Sequence, residues 1–374
     1  MKREIIIINQ STGYLMIDVV NAYAEKYESV VLMTGSINQL ERPLHKKVKI
    51  SKIISYNKKN ATLRLFTWIW GTLQVFFKML LSYKSYEVLY VTNPPMSYFL
   101  ALVFKRPFSI LVYDTYPDAL KNTGIHETNF IYKWWSNINK KIFPKAEKIF
   151  TLSQGMAANL SNYVSKERIK IIPNWSGSDN LKPILKNENH FLKEHNLTDK
   201  FIVLYSGNMG YTHSVDVMVE VAEELRNDDH IYFLFIGEGK KKGELINTVK
   251  AKKLKNCLFM TWQAPEILPY SLASADLGVV TLNEETALLS VPSKTYNLLA
   301  VGAALLSIAP ESSELAQLIK EKENGASFKS SEIEKIAGFI SYCANNPTEL
   351  KKMSVNSIEA GKEYTYRNAE KYVE

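Results

Sequence analysis

A glycine-punctuated stretch, Phe201 to Ser214 (FIVLYSGNMGYTHS), limits the possible folds of this chain more than any other. Ile202 to Tyr205 is a short apolar run of strand type. Gly207 and Gly210 permit a sharp turn with exposed backbone. Val215, Met218, Val219, Ala222 and Leu225 then recur at helical spacing. Strand, glycine turn and helix in succession are the repeating unit of an α/β sheet. The free N–H groups of such a turn point above the helix start, where the helix dipole favours an anion. A plain tight turn uses two glycines equally well, so the rest of the chain has to choose between a phosphate cradle and a bend.

The same alternation recurs on both sides. In the first half, strands are expected at 4–8, 30–33, 87–91, 109–113, 148–152 and 168–172, with a turn at Ser11-Thr12-Gly13-Tyr14 and a helix from Ile17 to Tyr27. In the second, strands at 202–205, 231–236, 257–260, 277–282 and 303–308 alternate with helices near 214–226, 240–253, 266–274, 294–301 and 313–322. Ser176 to Lys200, polar and weakly patterned, reads as a linker. The expected fold is therefore α/β: two tandem, doubly wound, parallel-sheet (Rossmann-like) domains facing a cleft. The boundaries are 1–180 and 200–357, and a C-terminal helix at about 358–374 is expected to pack back on the first domain. Ligands of such sheets bind at the carboxyl ends of the strands.

Charge divides along the same line. Residues 1–180 hold 24 Lys and Arg against 12 Asp and Glu, a balance of +12, whereas residues 181–374 balance at −4. A basic first half suits an anionic partner: nucleic acid, a membrane surface or a phosphorylated substrate. The basic residues are dispersed and no stacking motif of RNA binders is present, which weighs against nucleic acid. The two isolated cysteines, Cys257 and Cys343, suit a reducing compartment. MKREIIII offers four isoleucines before Asn9, too short for the apolar region of a signal peptide, and no stretch reaches the ~20 apolar residues that span a bilayer. Leu65 to Phe77 is nevertheless free of charge, contains Trp68 and Trp70, and is bracketed by Arg64 and Lys78. It fits a core helix, or one lying in a membrane interface with both tryptophans at headgroup level.

Chemistry is expected at a few places. Val291-Pro292-Ser293-Lys294-Thr295-Tyr296-Asn297 opens a helix with Ser293 as its expected N-cap, which puts Lys294 in the first turn. A cation there opposes the dipole unless an anion shares the site; a lysine swung out to solvent is the alternative. Asp114 and Asp118 follow a strand end and point toward the ligand side, where a carboxylate accepts or orients a hydroxyl proton. Each fits a turn or helix-start role equally well. The sequence has no HxxxH, no Cys pair and no Asp-x-Asp, so no metal is expected.

The runs YSGNMGYTHS, FIGEGKKKGEL, FMTWQAPEILPYSLASADLGVVTL and VPSKTYNLLAVGAALLSIA resemble the donor domain of GT-B-fold glycosyltransferases of family 4. TLSQGMAANL with KERIKIIPNW resembles the same family, and YDTYPDAL its branch that builds bacterial surface polysaccharides. The resemblance implies a retaining, metal-independent hexosyl or N-acetylhexosaminyl transfer from a nucleotide-sugar, with UDP favoured by prevalence. The nucleotide-sugar is a co-substrate rather than a cofactor. The implied acceptor is a lipid-linked glycan, at the cytoplasmic face of the inner membrane. Gly207, Asn208 and Gly210 would face the donor diphosphate and Lys294 would neutralise it. Trp262, Gln263 and Ala264 would line the base, with Ser293, Thr295 and Asn297 alongside, and Ser11, Thr12, Gly13 and Tyr14 would approach the acceptor. The chain departs from the family pattern in three places. Asn297 and Leu289 stand where a Glu-x7-Glu pair is usual, and Asn208 and His213 stand where Arg and Lys are common. His213 fits a ligand donor or a structural histidine. His126 falls in a nearby loop. A non-catalytic sugar-nucleotide or glycan-binding relative and a sugar-nucleotide epimerase of the same fold are the competing readings.

Overall fold

Within Glu4–Ile8 (β1) four successive isoleucines are buried, as a central parallel strand covered on both faces requires. The structure, a computed structural model, describes residues 3–39, 41–211, 213–283 and 291–374. The chain divides into two units, Met1–Pro173 with Tyr366–Glu374, and Asn174–Thr365.

In the first unit β1 is followed by β2 (Ser11–Thr12), α1 (Tyr14–Lys26), β3 (Ser29–Thr34), β4 (Ser36–Ile37), β5 (Val48–Lys52), α2 (Ala61–Leu81), β6 (Glu87–Val91), β7 (Phe108–Val112), α3 (Phe130–Ile142), β8 (Ile149–Thr151), α4 (Gln154–Leu160) and β9 (Ile169–Ile171). Seven strands form a parallel sheet in the order β5-β3-β1-β6-β7-β8-β9, and β2 pairs with β4 apart from it. The strand order reverses between β1 and β6.

The second unit repeats the plan: α5 (His190–Glu194), β10 (Phe201–Ser206), α6 (Asp216–Glu224), β11 (Ile231–Ile236), α7 (Lys242–Ala251), β12 (Cys257–Met260), α8 (Leu268–Leu272), β13 (Leu277–Thr281), α9 (Ser293–Ala300), β14 (Ala304–Ile308), α10 (Glu314–Lys322), β15 (Gly325–Phe328), α11 (Ile333–Asn345) and α12 (Pro347–Gly361). Its six parallel strands run β12-β11-β10-β13-β14-β15, with the reversal between β10 and β13. Alternation along β10 sends Phe201, Val203 and Tyr205 into one apolar layer and Ile202 and Leu204 into the other.

Every strand expected from the sequence is present. The edge strands β5 and β15 are additional, and helix α1 starts at Tyr14 rather than Ile17. The expected linker at 176–200 is corrected: it is packed into the second unit. Leu181, Phe191, Leu192 and Leu197 join that unit's core, Trp175 is fully buried, and Asn189 caps α5 while donating to the Tyr270 carbonyl at 2.9 Å. Its polarity misleads because Lys186 and Asn189 are paired internally; the Lys186 ammonium lies 2.5 Å from Asp276 Oδ2. The C-terminal expectation shifts too. Helix α12 belongs to the second unit, and only from Tyr366 does the chain return to the first, where the Tyr23 hydroxyl donates to the Tyr372 carbonyl at 3.0 Å.

Candidate active site

At the reversal point of the second sheet, the turn after β10 is pinned from below. The Gly207 N–H donates to the Ile236 carbonyl at 2.9 Å and the Met209 N–H to the Glu238 carbonyl at 2.8 Å, while the Met209 side chain is buried. Two of the turn's N–H groups, that of Gly207 expected to face a ligand among them, are thus already used. Asn208 and Gly210 supply the turn's remaining N–H groups. The exit of β11 fits closely beneath. Gly237, at φ +139°, leaves no room for a Cβ, which would sit 2.1 Å from the Gly207 carbonyl oxygen. At Gly239, φ +158°, a Cβ would lie 2.4 Å from the Met209 backbone. These two glycines, and Tyr205 beside them, are site residues the sequence reasoning missed. The GEG within FIGEGKKKGEL was the available signal.

Helix α9 brings Lys294 under this turn. Its Nζ lies 4.2 Å from the centroid of the Tyr205 ring, and a Cβ built on Gly207 would fall 2.4 Å from it. The stem of Lys294 is partly open to water, but the ammonium is buried and has no hydrogen-bond partner among the described residues. Among the described residues a cation–π contact is its one compensation. Loss of hydration brings its pKa down from 10.5 to about 8. The neighbouring lysines differ in that Lys241 is 2.5 Å from Asp216 and Lys242 is 2.7 Å from Glu238. The expectation of a lysine swung out to solvent is not what the geometry shows.

The polar groups around this ammonium are also unmet. Among the described residues, His213 Nδ1 and Thr295 Oγ1 are buried without partners. Burial, then the charges of Lys294 and Lys241, hold the His213 imidazole below its usual pKa of 6.5, so it stands neutral and can donate one hydrogen bond. The Tyr205 hydroxyl donates to the Asn208 carbonyl at 2.7 Å and so ties the turn to the ring that supports Lys294.

Other expected residues have different surroundings. Ser293 is exposed and is the first residue of α9; Pro292 holds the cap position, so the expected Ser293 N-cap is corrected. The Asn297 side-chain oxygen accepts from the Gly177 N–H at 3.0 Å, so half of its amide ties the segment after Asn174 to α9. Leu289 lies outside the described residues. Trp262, 55% exposed, stands just past β12, and Gln263 beside it donates to the Thr261 carbonyl at 2.9 Å.

In the first unit Ser11 and Thr12 form β2 rather than a free turn. The Thr12 and Thr34 hydroxyls are hydrogen-bonded at 2.9 Å, and Gly13 caps α1, which Tyr14 begins. Asp114 follows β7, and its backbone N–H donates to the Thr92 hydroxyl at 3.2 Å. Surrounding protein raises the carboxyl pKa and Lys58 opposes this; the side chain is exposed, so water screens both effects. Asp118 is engaged elsewhere: its Oδ1 accepts from the Tyr132 hydroxyl at 2.7 Å and from Lys121 at 2.9 Å, bracing segment 118–123 against α3. His126 is exposed. Trp68 and Trp70 part company. Trp68 is 9% exposed and packs on Tyr56 and Tyr116, whereas Trp70 is 47% exposed. The expected membrane contact at Trp68 is corrected, because helical spacing puts residues 68 and 70 on different faces. Among the described residues no cluster of His, Cys, Asp and Glu has the arrangement of a metal site.

Two tandem Rossmann-like units, each with its strand order reversing about a central strand, make this a GT-B fold. The family model for glycosyl transferases group 1 matches residues 187–363, within the second unit. The chain is 29% identical over 202 residues to the putative colanic acid biosynthesis glycosyl transferase WcaI of Escherichia coli, covering 54% of this chain and 45% of that one. It is 25% identical over 249 residues to the probable glycosyltransferase WbjE of Pseudomonas aeruginosa, covering 65% and 60%. The chain thus spans about half the length of the curated relatives it matches. Among solved structures, Anabaena HepE in complex with UDP aligns with TM-score 0.74 at 13% identity, covering 99% of this chain and 98% of that one. WaaG, a glycosyltransferase involved in lipopolysaccharide biosynthesis, aligns with TM-score 0.70 at 14% identity, covering 98% of each.

Proposed function

We propose that this chain is a retaining, metal-independent glycosyltransferase that moves a hexosyl or N-acetylhexosaminyl group from a UDP-sugar to a lipid-linked glycan during surface polysaccharide synthesis. The observation that carries this reading is the Lys294 ammonium, buried beneath the Gly207 turn without a partner among the described residues. An uncompensated buried cation is costly unless an anion completes it. Solved relatives of the same fold hold UDP or UDP-glucose, and the curated relatives carry colanic acid and glycosyltransferase names.

In this reading the diphosphate meets Lys294, His213 and the Asn208 and Gly210 N–H groups, and Trp262 and Gln263 flank the base. As the sugar–phosphate bond breaks, charge grows on the phosphate and Lys294 stabilises it. The departing phosphate takes the acceptor proton on the retained face, and Asp114 orients that hydroxyl. The enzyme works at the inner face of the cell membrane, held by an exposed apolar face of α2. Among the described residues no helix is long and apolar enough to cross a membrane.

Turnover of UDP-sugars with lipid-linked acceptors tests the proposal. Lys294→Ala should lower kcat/KM by about a hundredfold or more, the cost of removing one such stabilising group. EDTA should leave the rate unchanged. Equal turnover in wild type and variant would refute the assignment. A second reading, a non-catalytic sugar-nucleotide binder, draws on Asn297, whose amide oxygen is already engaged. It requires tight UDP binding with no transfer to any acceptor.

A further inference from the structure

Near the carboxyl end of β7 lies an aromatic and cationic cluster that the donor chemistry leaves unused. The Tyr56 ring stacks on Trp68 at 5.9 Å and 15°, and Tyr116 meets the edge of Trp68 at 6.0 Å and 81°. Two cations rest on these rings. The Arg64 guanidinium carbon is 5.4 Å from the Trp68 ring and the Lys58 ammonium 5.5 Å from the Tyr56 ring. Arg64 and Asp114 both act electrostatically on Tyr56 and on Tyr116, so all six groups share one locality. Among the described residues neither Arg64 nor Lys58 forms an ion pair. Arg64 is half-buried, and a guanidinium without a carboxylate is matched to phosphate, which it grips through two parallel N–H bonds.

Helix α2 adds a second feature. Arg64 and Trp68, four residues apart, face this cluster. Phe66, Ile69, Trp70, Leu73 and Phe77 lie on other faces of the same helix and are exposed. The cations, the aromatic surface and the carboxylate therefore adjoin an uncovered hydrocarbon-like strip. A molecule matching all of these carries an alkyl chain, a phosphate linkage and a sugar, in that order.

We infer that Arg64, Lys58, Tyr56 and Asp114 form the acceptor subsite and that it binds the phosphate linkage of a lipid-phosphate-linked sugar. Arg64 and Lys58 hold the phosphate, the exposed part of Tyr56 lies against the sugar, Asp114 accepts from the attacking hydroxyl, and the lipid follows the exposed strip of α2. This inference deepens the glycosyltransferase reading and rests on it for the role of the sugar.

Farnesyl diphosphate serves as a water-soluble probe, titrated calorimetrically into the full chain with UDP saturating the second unit. Farnesol and inorganic diphosphate are titrated alongside to separate the lipid from the anion. Farnesyl diphosphate should bind most tightly. Arg64→Ala should weaken it about tenfold or more, and Arg64→Lys less. Phe66→Ser should weaken farnesyl diphosphate and leave inorganic diphosphate unchanged. UDP affinity should stay within about twofold of wild type in every variant, which also reports that each has folded. Unaltered farnesyl diphosphate binding by Arg64→Ala, or farnesol binding as tightly as its diphosphate, would overturn the assignment. Failure of the wild type to bind UDP would refute the donor reading; the subsite would still be read by farnesyl diphosphate in the same titration.

Discussion

Lys294 concentrates the conflict between stability and function at one atom. Its ammonium costs the unliganded protein free energy because it is buried without a partner among the described residues. Its pKa in the folded chain, about 8, lies below its ordinary 10.5. Between those two values the unfolded chain binds more protons, so this group's contribution to stability rises as pH increases from about 8 to 10.5. Lys294→Met should therefore raise the Tm of the ligand-free protein at pH 7, by about 2–4 °C for ~1 kcal/mol of relief. The same variant should lose the stabilisation that UDP gives wild type. UDP affinity of wild type should fall across the same pH window, since binding above about 8 has to recruit the missing proton. Calorimetry and thermal melts with and without UDP measure both; a flat pH profile would remove Lys294 from the diphosphate. Sequence alone raised Lys294, because a cation in a first turn is out of place. Tyr205 was not legible as its support, since a tyrosine in a core strand looks like packing until the ring is seen beneath the ammonium.

At the scale of one element, α2 carries two surfaces that the sequence shows as a single apolar run. Trp68 packs inward with Val75 and Met79, while Trp70 stacks on Phe66 at 6.4 Å with both rings exposed. Exposed Phe130, Ile131 and Trp134 on α3 extend the first unit's apolar surface, and a bilayer surface is its proposed cover. Phe66→Ser with Trp70→Ser should reduce cosedimentation with anionic vesicles about tenfold or more and leave the melting temperature within about 1 °C. Trp68→Ala should instead destabilise the first unit by about 3–5 kcal/mol, as loss of a buried indole does. Unchanged vesicle binding by the double variant would remove the membrane from the account. The run's length and lack of charge identified the helix, but only its phase against Tyr56 and Tyr116 decides which tryptophan is free. The expected linker failed for a related reason. Polar residues such as Asn189 and Lys186 look solvated in sequence and are satisfied internally in the fold.

Across the whole molecule, the chain enters the second unit at Asn174 and comes back to the first at Tyr366, so the first unit is completed by a segment far from it in sequence. Alternating strand and helix patterns made two doubly wound parallel sheets legible in advance, but not the order of their strands or the edge strands β5 and β15. This return was harder to place, because nine residues with mixed polarity carry no period of their own. Its hold is specific. Tyr372 is buried with its ring 5.0 Å from Phe150, its carbonyl accepts from Tyr23, and the Lys170 ammonium donates to the Lys371 carbonyl at 2.8 Å. Tyr372→Ala should therefore cost about 3 kcal/mol or more, and the loss should fall on the first unit. The second unit keeps its core and the proposed UDP site, so two transitions are expected where wild type and variant are unfolded by urea with UDP present. The transition that UDP shifts should be the same in both proteins, and the UDP-insensitive one should move to lower urea in the variant. Hydrogen exchange assigns them: early opening should appear in β1, β8 and α1, where Tyr372 and its partners sit. A variant in which both transitions move together would show that the C-terminal return stabilises more than the unit it joins.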